Sequence, residues 1–129
     1  MNLSWTRFAV LVLVGLLAAG LAACGGGSAQ QTEAPSGDAA RGATLFVGTC
    51  SSCHGPDAKG LPGLGKDLTT SEFVKGKTDV ELVEFFKTGR PSSDPLNTTG
   101  IDMPPRGGNP VLSDDDLVDI VAFVRTVNK

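Results

Sequence analysis

Cys50-Ser51-Ser52-Cys53-His54 constrains this chain more than any other segment. Two thiols stand two residues apart, and the only histidine of the 129 residues follows at once. Four chemistries use such a run. A disulfide alone gives His54 no task. A thiol-redox CxxC wants a strand–helix–strand setting, and none precedes Cys50. A four-ligand zinc site of the usual kind would need every cysteine and the only histidine together. Covalent attachment of haem uses all three side chains: each thiol adds to one vinyl group, and the adjacent imidazole falls under the iron as proximal ligand. The spacing therefore predicts one covalent haem c, held by Cys50 and Cys53 with His54 on the iron.

The rest of the chain is thin in core material. Leu, Ile, Val and Phe number 24 among the 106 residues from Cys24 onward, and Trp and Tyr are absent there. That share lies barely above the level at which disorder becomes the default. Such a chain stays loose or packs around something other than protein. The length allows one domain. The formal charge of −3 argues against an electrostatic nucleic-acid partner.

The N-terminus reads as an address. Arg7 precedes the apolar run Phe8–Ala23, which ends on small residues, as in a secretory signal. Its 16 residues fall short of the roughly 20 that span a bilayer. Leu21-Ala22-Ala23-Cys24 resembles the lipobox of bacterial lipoproteins. That resemblance implies cleavage before Cys24 and a diacylglycerol on its thiol, so residues 1–23 would be signal peptide. Each buried acyl CH₂ contributes roughly 0.8 kcal/mol, enough for stable attachment with two or three chains. Residues 24–37 then form the lipidated cysteine and a flexible Gly/Ser/Gln-rich tether, with an r.m.s. span of about 20 Å.

Residues 38–129 carry the folded domain, expected to be all-α with long Gly/Pro-rich loops. Asp38 caps a helix through Ala39–Val47, with Gly42 inside it marking a close packing contact. Thr78 and Glu81 form a capping-box pattern. The apolar side that follows is either Val80, Val83 and Phe86 or Leu82, Phe85 and Phe86, and Gly89 and Pro91 end the helix. Ser113 and Asp116 open a third helix, whose apolar side is Leu117, Ile120, Val121 and Val124 with Phe123 alongside. Once Met1 leaves with the signal, Met103 is the only methionine. It stands in Ile101-Asp102-Met103-Pro104-Pro105, where the prolines present it rigidly. With one histidine, bis-His ligation is impossible in a monomer, so Met103 is the expected distal iron ligand, with a Lys ligand or an open site as the alternatives.

On these residues the chain resembles a bacterial class I cytochrome c of the monohaem, lipoprotein type, over the whole of 38–129. The resemblance implies that fold, with three to five helices packed around one haem. Gly42 and Phe46 look like the family's N-terminal helix contact, with Ile120, Ala122 and Phe123 as its partner on the C-terminal helix. Two departures stand out. Where the family often has Pro two residues before a haem-packing Leu, this chain has Lys66 before Leu68; the Lys66 carbonyl would accept from the proximal His. Where the family often uses Trp or Tyr near the haem propionates, Arg90, Arg106 and Asn109 are the candidate replacements.

The function expected is a lipid-anchored carrier of single electrons, with its haem domain on the extracytoplasmic, periplasmic side. Six-coordinate iron leaves no place for a small-molecule substrate, so the chain is not an enzyme in its own right. A Met ligand favours the reduced state relative to bis-His ligation. The partners are redox proteins: a quinol-oxidising complex, a dehydrogenase or a terminal oxidase. One alternative is a fixed subunit of such a membrane complex. Another is a haem c enzyme or gas sensor with Met103 off the iron. From Cys24 onward, 10 Lys and Arg face 14 Asp and Glu. Four of the acids cluster at Asp114, Asp115, Asp116 and Asp119, which suits helix capping or docking to a basic partner.

Overall fold

A computed structural model describes residues 36–129. The signal segment, Cys24 and nearly all of the tether lie outside the described residues. Five α-helices follow in order: α1 Ala39–Thr49, α2 Ser51–His54, α3 Glu72–Lys75, α4 Asp79–Thr88 and α5 Asp114–Val127. A 3-10 turn covers Pro105–Gly108. Among the described residues there is no strand, only isolated bridges at Leu61–Gly65 and Arg90–Met103. The all-α class with long loops stands. No described helix is long and apolar enough to cross a membrane.

The three long helices begin where short polar side chains satisfy free N–H groups. Asp38 Oδ1 accepts from the N–H groups of Ala40 and Arg41 at 2.9 and 3.0 Å. Thr78 with Glu81, and Ser113 with Asp116, each form a complete capping box. Helix α1 runs two residues past the expected Val47, because the Cys50 N–H still reaches the Phe46 carbonyl at 2.7 Å. Helix α3 was not expected: a single turn is too short to show an apolar period. Of the two faces open to α4, Leu82 and Phe86 turn inward, while Val80 is 59% exposed.

Helices α1 and α5 cross in direct backbone contact. A Cβ on Gly42 would collide with the Asp119 carbonyl and come within 3.0 Å of the Ile120 nitrogen. One turn on, Phe46 and Phe123 meet with ring centroids 5.1 Å apart, a pair that contributes about 1 kcal/mol beyond its buried area. Ala122, the third member of the expected trio, is half-buried and also lines a small groove with Val80, Val83 and Val118. Phe46, Leu82, Leu117, Ile120, Val121 and Val124 form the fully buried centre.

Charge closes the same seam. Asp119 is buried, accepts the Asp38 N–H at 2.7 Å and pairs with Arg41, which also pairs with Asp116. Asp114 pairs with Arg106 at 2.6 Å and Lys87 at 3.1 Å. Three of the four clustered acids are thus matched within the domain. At the far end of α5, Arg125 donates to the Val74 carbonyl at 2.7 Å and Asn128 to the Leu68 carbonyl at 2.7 Å. These bonds fix the segment between α2 and α4 over the core.

Candidate haem site

Between the long helices and the loops lies a cavity of about 770 Å³, within the size range of cofactor sites. Cys50, Cys53, His54, Leu68 and Met103 all line it, with Phe46, Leu82, Phe85 and Phe86 among its apolar wall.

The thiol–imidazole side is built by α1 and α2. The chain turns from one helix into the next at Cys50, and Gly55, at φ +74°, ends the single turn after His54. The following loop presses on that turn. Gly60 N–H donates to the His54 carbonyl at 2.7 Å and Leu61 N–H to the Cys53 carbonyl at 3.0 Å. A Cβ on Gly65 would sit 2.5 Å from the Cys53 carbonyl. The next carbonyl along, that of Lys66, lies 2.8 Å from His54 Nδ1. A carbonyl only accepts, so Nδ1 carries the proton and Nε2 keeps a free lone pair for a metal. Proline is not needed at position 66, because the bond uses main chain alone.

Neither cysteine is in a disulfide. Burial, with a smaller contribution from Cys53, pushes the Cys50 thiol up to about 11. It is therefore a neutral thiol near neutrality. Among the described residues no three His, Cys, Asp or Glu side chains cluster as a metal site. Unbridged thiols, an oriented imidazole and a half-buried thioether around one apolar cavity fit a covalent haem.

Met103 is held from behind. Its N–H donates to the Arg90 carbonyl and its carbonyl accepts from the Arg90 N–H, both at 2.8 Å. Gly89, just before, has φ +71° and ψ −163°, a conformation nearly confined to glycine. A Cβ there would also collide with the Met103 carbonyl. The preceding loop is pinned by Asn97, whose amide donates to the carbonyls of Ile101 at 2.8 Å and Pro91 at 3.2 Å. Lys66 donates to the Thr98 hydroxyl, tying the imidazole loop to the methionine loop.

The three residues proposed near the propionates separate. Arg90 and Arg106 line the cavity. Arg106 is already engaged with the Leu112 carbonyl at 2.7 Å and with Asp114. Asn109 is not on the cavity wall, a correction to its expected contact. Its amide reaches Thr49 Oγ1 at 3.4 Å, and its carbonyl oxygen accepts the Val111 N–H at 3.2 Å. Phe73, Lys66 by its side chain and Asn97 were missed. Phe73 and the Lys66 side chain act through contacts between separate segments, whereas Asn97 acts within its own loop, where no periodic pattern marks it.

Residues 39–128 match the family model described as Cytochrome c. A 90-residue stretch is 30% identical to the Cbb3-type cytochrome c oxidase subunit CcoP of Rhodobacter capsulatus, covering 69% of this chain and 29% of that protein. A shorter one, 54 residues, is 41% identical to the Cbb3-type cytochrome c oxidase subunit FixP of Bradyrhizobium sp. (strain ORS 278), covering 41% of this chain and 19% of that protein. Cytochrome c-554(548) of Halomonas halodenitrificans is 33% identical over 87 residues, 67% of this chain and 93% of that protein. The chain thus spans under a third of the two oxidase subunits and nearly all of the small cytochrome. No solved structure matches significantly.

Proposed function

The chain belongs to the cytochrome c family, whose members bind haem c covalently, and on that footing we propose that it is a monohaem electron carrier anchored to a membrane by lipid on Cys24. The observation that carries the redox reading is the convergence of Cys50, Cys53, His54 and Met103 on one cavity. When bound there, haem c supplies a one-electron ferric/ferrous couple. Cys50 and Cys53 would hold it by thioethers. His54 Nε2 would ligate the iron, its ring fixed by the Lys66 carbonyl. Met103 sulfur would also ligate the iron, which favours the reduced state. Phe46, Leu68, Phe85 and Phe86 exclude water and lower the local dielectric, which disfavours the added charge of the oxidised state. The ligands are carried on backbone pinned by hydrogen bonds, so electron exchange needs little movement of the protein.

The weak absorption band of a ferric methionine–iron bond tests this. Wild type should show it and bind carbon monoxide poorly; Met103→Ala should lose it. A wild type without the band that takes up carbon monoxide readily would make this an open-site haem protein instead. The anchor rests on the lipobox-like Leu21–Cys24 and places the domain on the extracytoplasmic side. Mass spectrometry of the mature N-terminus should find diacylglycerol on Cys24, and an unmodified Cys24 in the membrane fraction would refute it.

The relatives that are oxidase subunits favour a second reading, a fixed electron-transfer subunit of a larger membrane oxidoreductase. Near-complete coverage of a small cytochrome favours a free carrier. Detergent solubilisation and pull-down separate them: a free carrier brings no stoichiometric partner.

A further inference from the structure

Arg90 stands in the cavity wall with only 17% of its side chain exposed. Its guanidinium carbon lies 4.6 Å from the centroid of the Phe73 ring and 4.8 Å from that of Phe85. The two rings are 4.8 Å apart and tilted by 60°. Nε is buried and makes no hydrogen bond among the described residues. Its ionic partner is Asp94 Oδ2 at 3.4 Å, too poorly aligned for a hydrogen bond. The backbone of Arg90 bonds twice to Met103. The cation is therefore fixed at both ends, by two aromatic faces and by the segment that carries the sulfur.

We propose that Arg90, opposed by Asp94, sets how readily the redox centre of this cavity is oxidised. The proposal rests on the haem reading above and deepens it by assigning the potential to a named charge pair. Oxidation adds one positive charge to the centre. A fixed cation in the wall of an apolar cavity opposes that charge, because the rings beside it screen far less than water. The reduced state is favoured as a result. Asp94 offsets the effect in part; at 33% side-chain exposure it is the more screened of the two. A residue with only a structural task would show no dependence on the sign of its neighbour's charge. Here the two substitutions act in opposite directions.

The test is redox potentiometry of the holoprotein, with the ferric methionine–iron band recorded in each variant. Arg90→Gln keeps a planar polar group between the rings and removes the charge. At a fixed applied potential it should raise the ferric-to-ferrous ratio about tenfold, a 59 mV fall for one electron. Asp94→Asn keeps the acceptor that holds the Leu96 N–H at 2.8 Å, and should lower the ratio about threefold. Arg90→Lys retains the charge and should stay within twofold of wild type. An Arg90→Gln protein with the band intact and the wild-type ratio overturns the proposal. Where Arg90→Gln loses the band, Asp94→Asn decides alone, and an unchanged ratio overturns it. Absence of the band from wild type is a different failure, that of the iron ligation itself.

Discussion

At the residue scale the proposed iron ligands are single side chains, and few atoms orient each of them. His54 depends on one main-chain oxygen, that of Lys66, 2.8 Å from Nδ1. Any side chain at position 66 preserves it, which is why a departure from the family's usual proline leaves the site intact. Gly89 is different, because its conformation and its surroundings both exclude a Cβ. Gly89→Ala should destabilise the protein by about 2–3 kcal/mol, from backbone strain and the clash with the Met103 carbonyl. It should also weaken the ferric methionine–iron band. Thermal melts and spectra of the variant check both; a lower melting temperature with an undisturbed band would show that Gly89 does not set the sulfur. Cys50, Cys53, His54 and Met103 stood out together by spacing and scarcity, and all four line one cavity. The stack of Arg90 on Phe73 and Phe85 was not legible in the sequence, because it joins residues from three separate segments.

At the scale of elements, helix starts were the most readable feature. A capping box is a local exchange of hydrogen bonds between residues three apart, so Thr78/Glu81 and Ser113/Asp116 announce α4 and α5 without any tertiary information. Helix faces were less readable. α4 offered two, and only contact with α5 decided for Leu82 and Phe86. Gly42→Ala should cost about 3 kcal/mol in a denaturant titration, because the Asp119 carbonyl it would strike is backbone and cannot swing away. A loss below about 0.5 kcal/mol would mean that α1 and α5 do not touch at this point. The start of α5 also predicts an acid sensitivity. Bonds from Ser113, then the charge of Arg41, hold the Asp116 carboxyl below its ordinary 3.8, and Arg106 and Lys87 do the same for Asp114. A depressed folded value gives stability that is complete above the unfolded value. It declines as pH falls below about 4, and it is gone once pH passes the folded value. Stability of the holoprotein should therefore fall through this window. Asp116→Asn should flatten the fall; an unchanged acid profile would remove Asp116 from the cause.

At the largest scale, the described residues enclose a cavity of about 770 Å³ between the long helices and the loops. Only 24 of the 106 residues from Cys24 onward are Leu, Ile, Val or Phe, and part of that apolar surface faces the cavity. The haem-free chain should lose a cooperative urea transition that the holoprotein retains, followed by far-UV circular dichroism. A haem-free chain that melts cooperatively at the same urea concentration would show that the protein core suffices alone. The matched acids bear on partners at this scale too. Asp114, Asp116 and Asp119 are paired within the domain, which weakens the case that their cluster is an acidic docking face. The sequence by itself marked out Cys50, Cys53, His54 and Met103 as the proposed attachment points and iron ligands, and it determined the starts of the three long helices. Each of these depends on residue type at fixed short spacing. Only the tertiary structure decided that Leu82 and Phe86 are the buried face of α4, that Asn109 is not among the residues lining the cavity and that Arg90 is locked into its wall. Those outcomes depend on which surfaces of distant segments meet, and close packing admits one arrangement that no local spacing encodes.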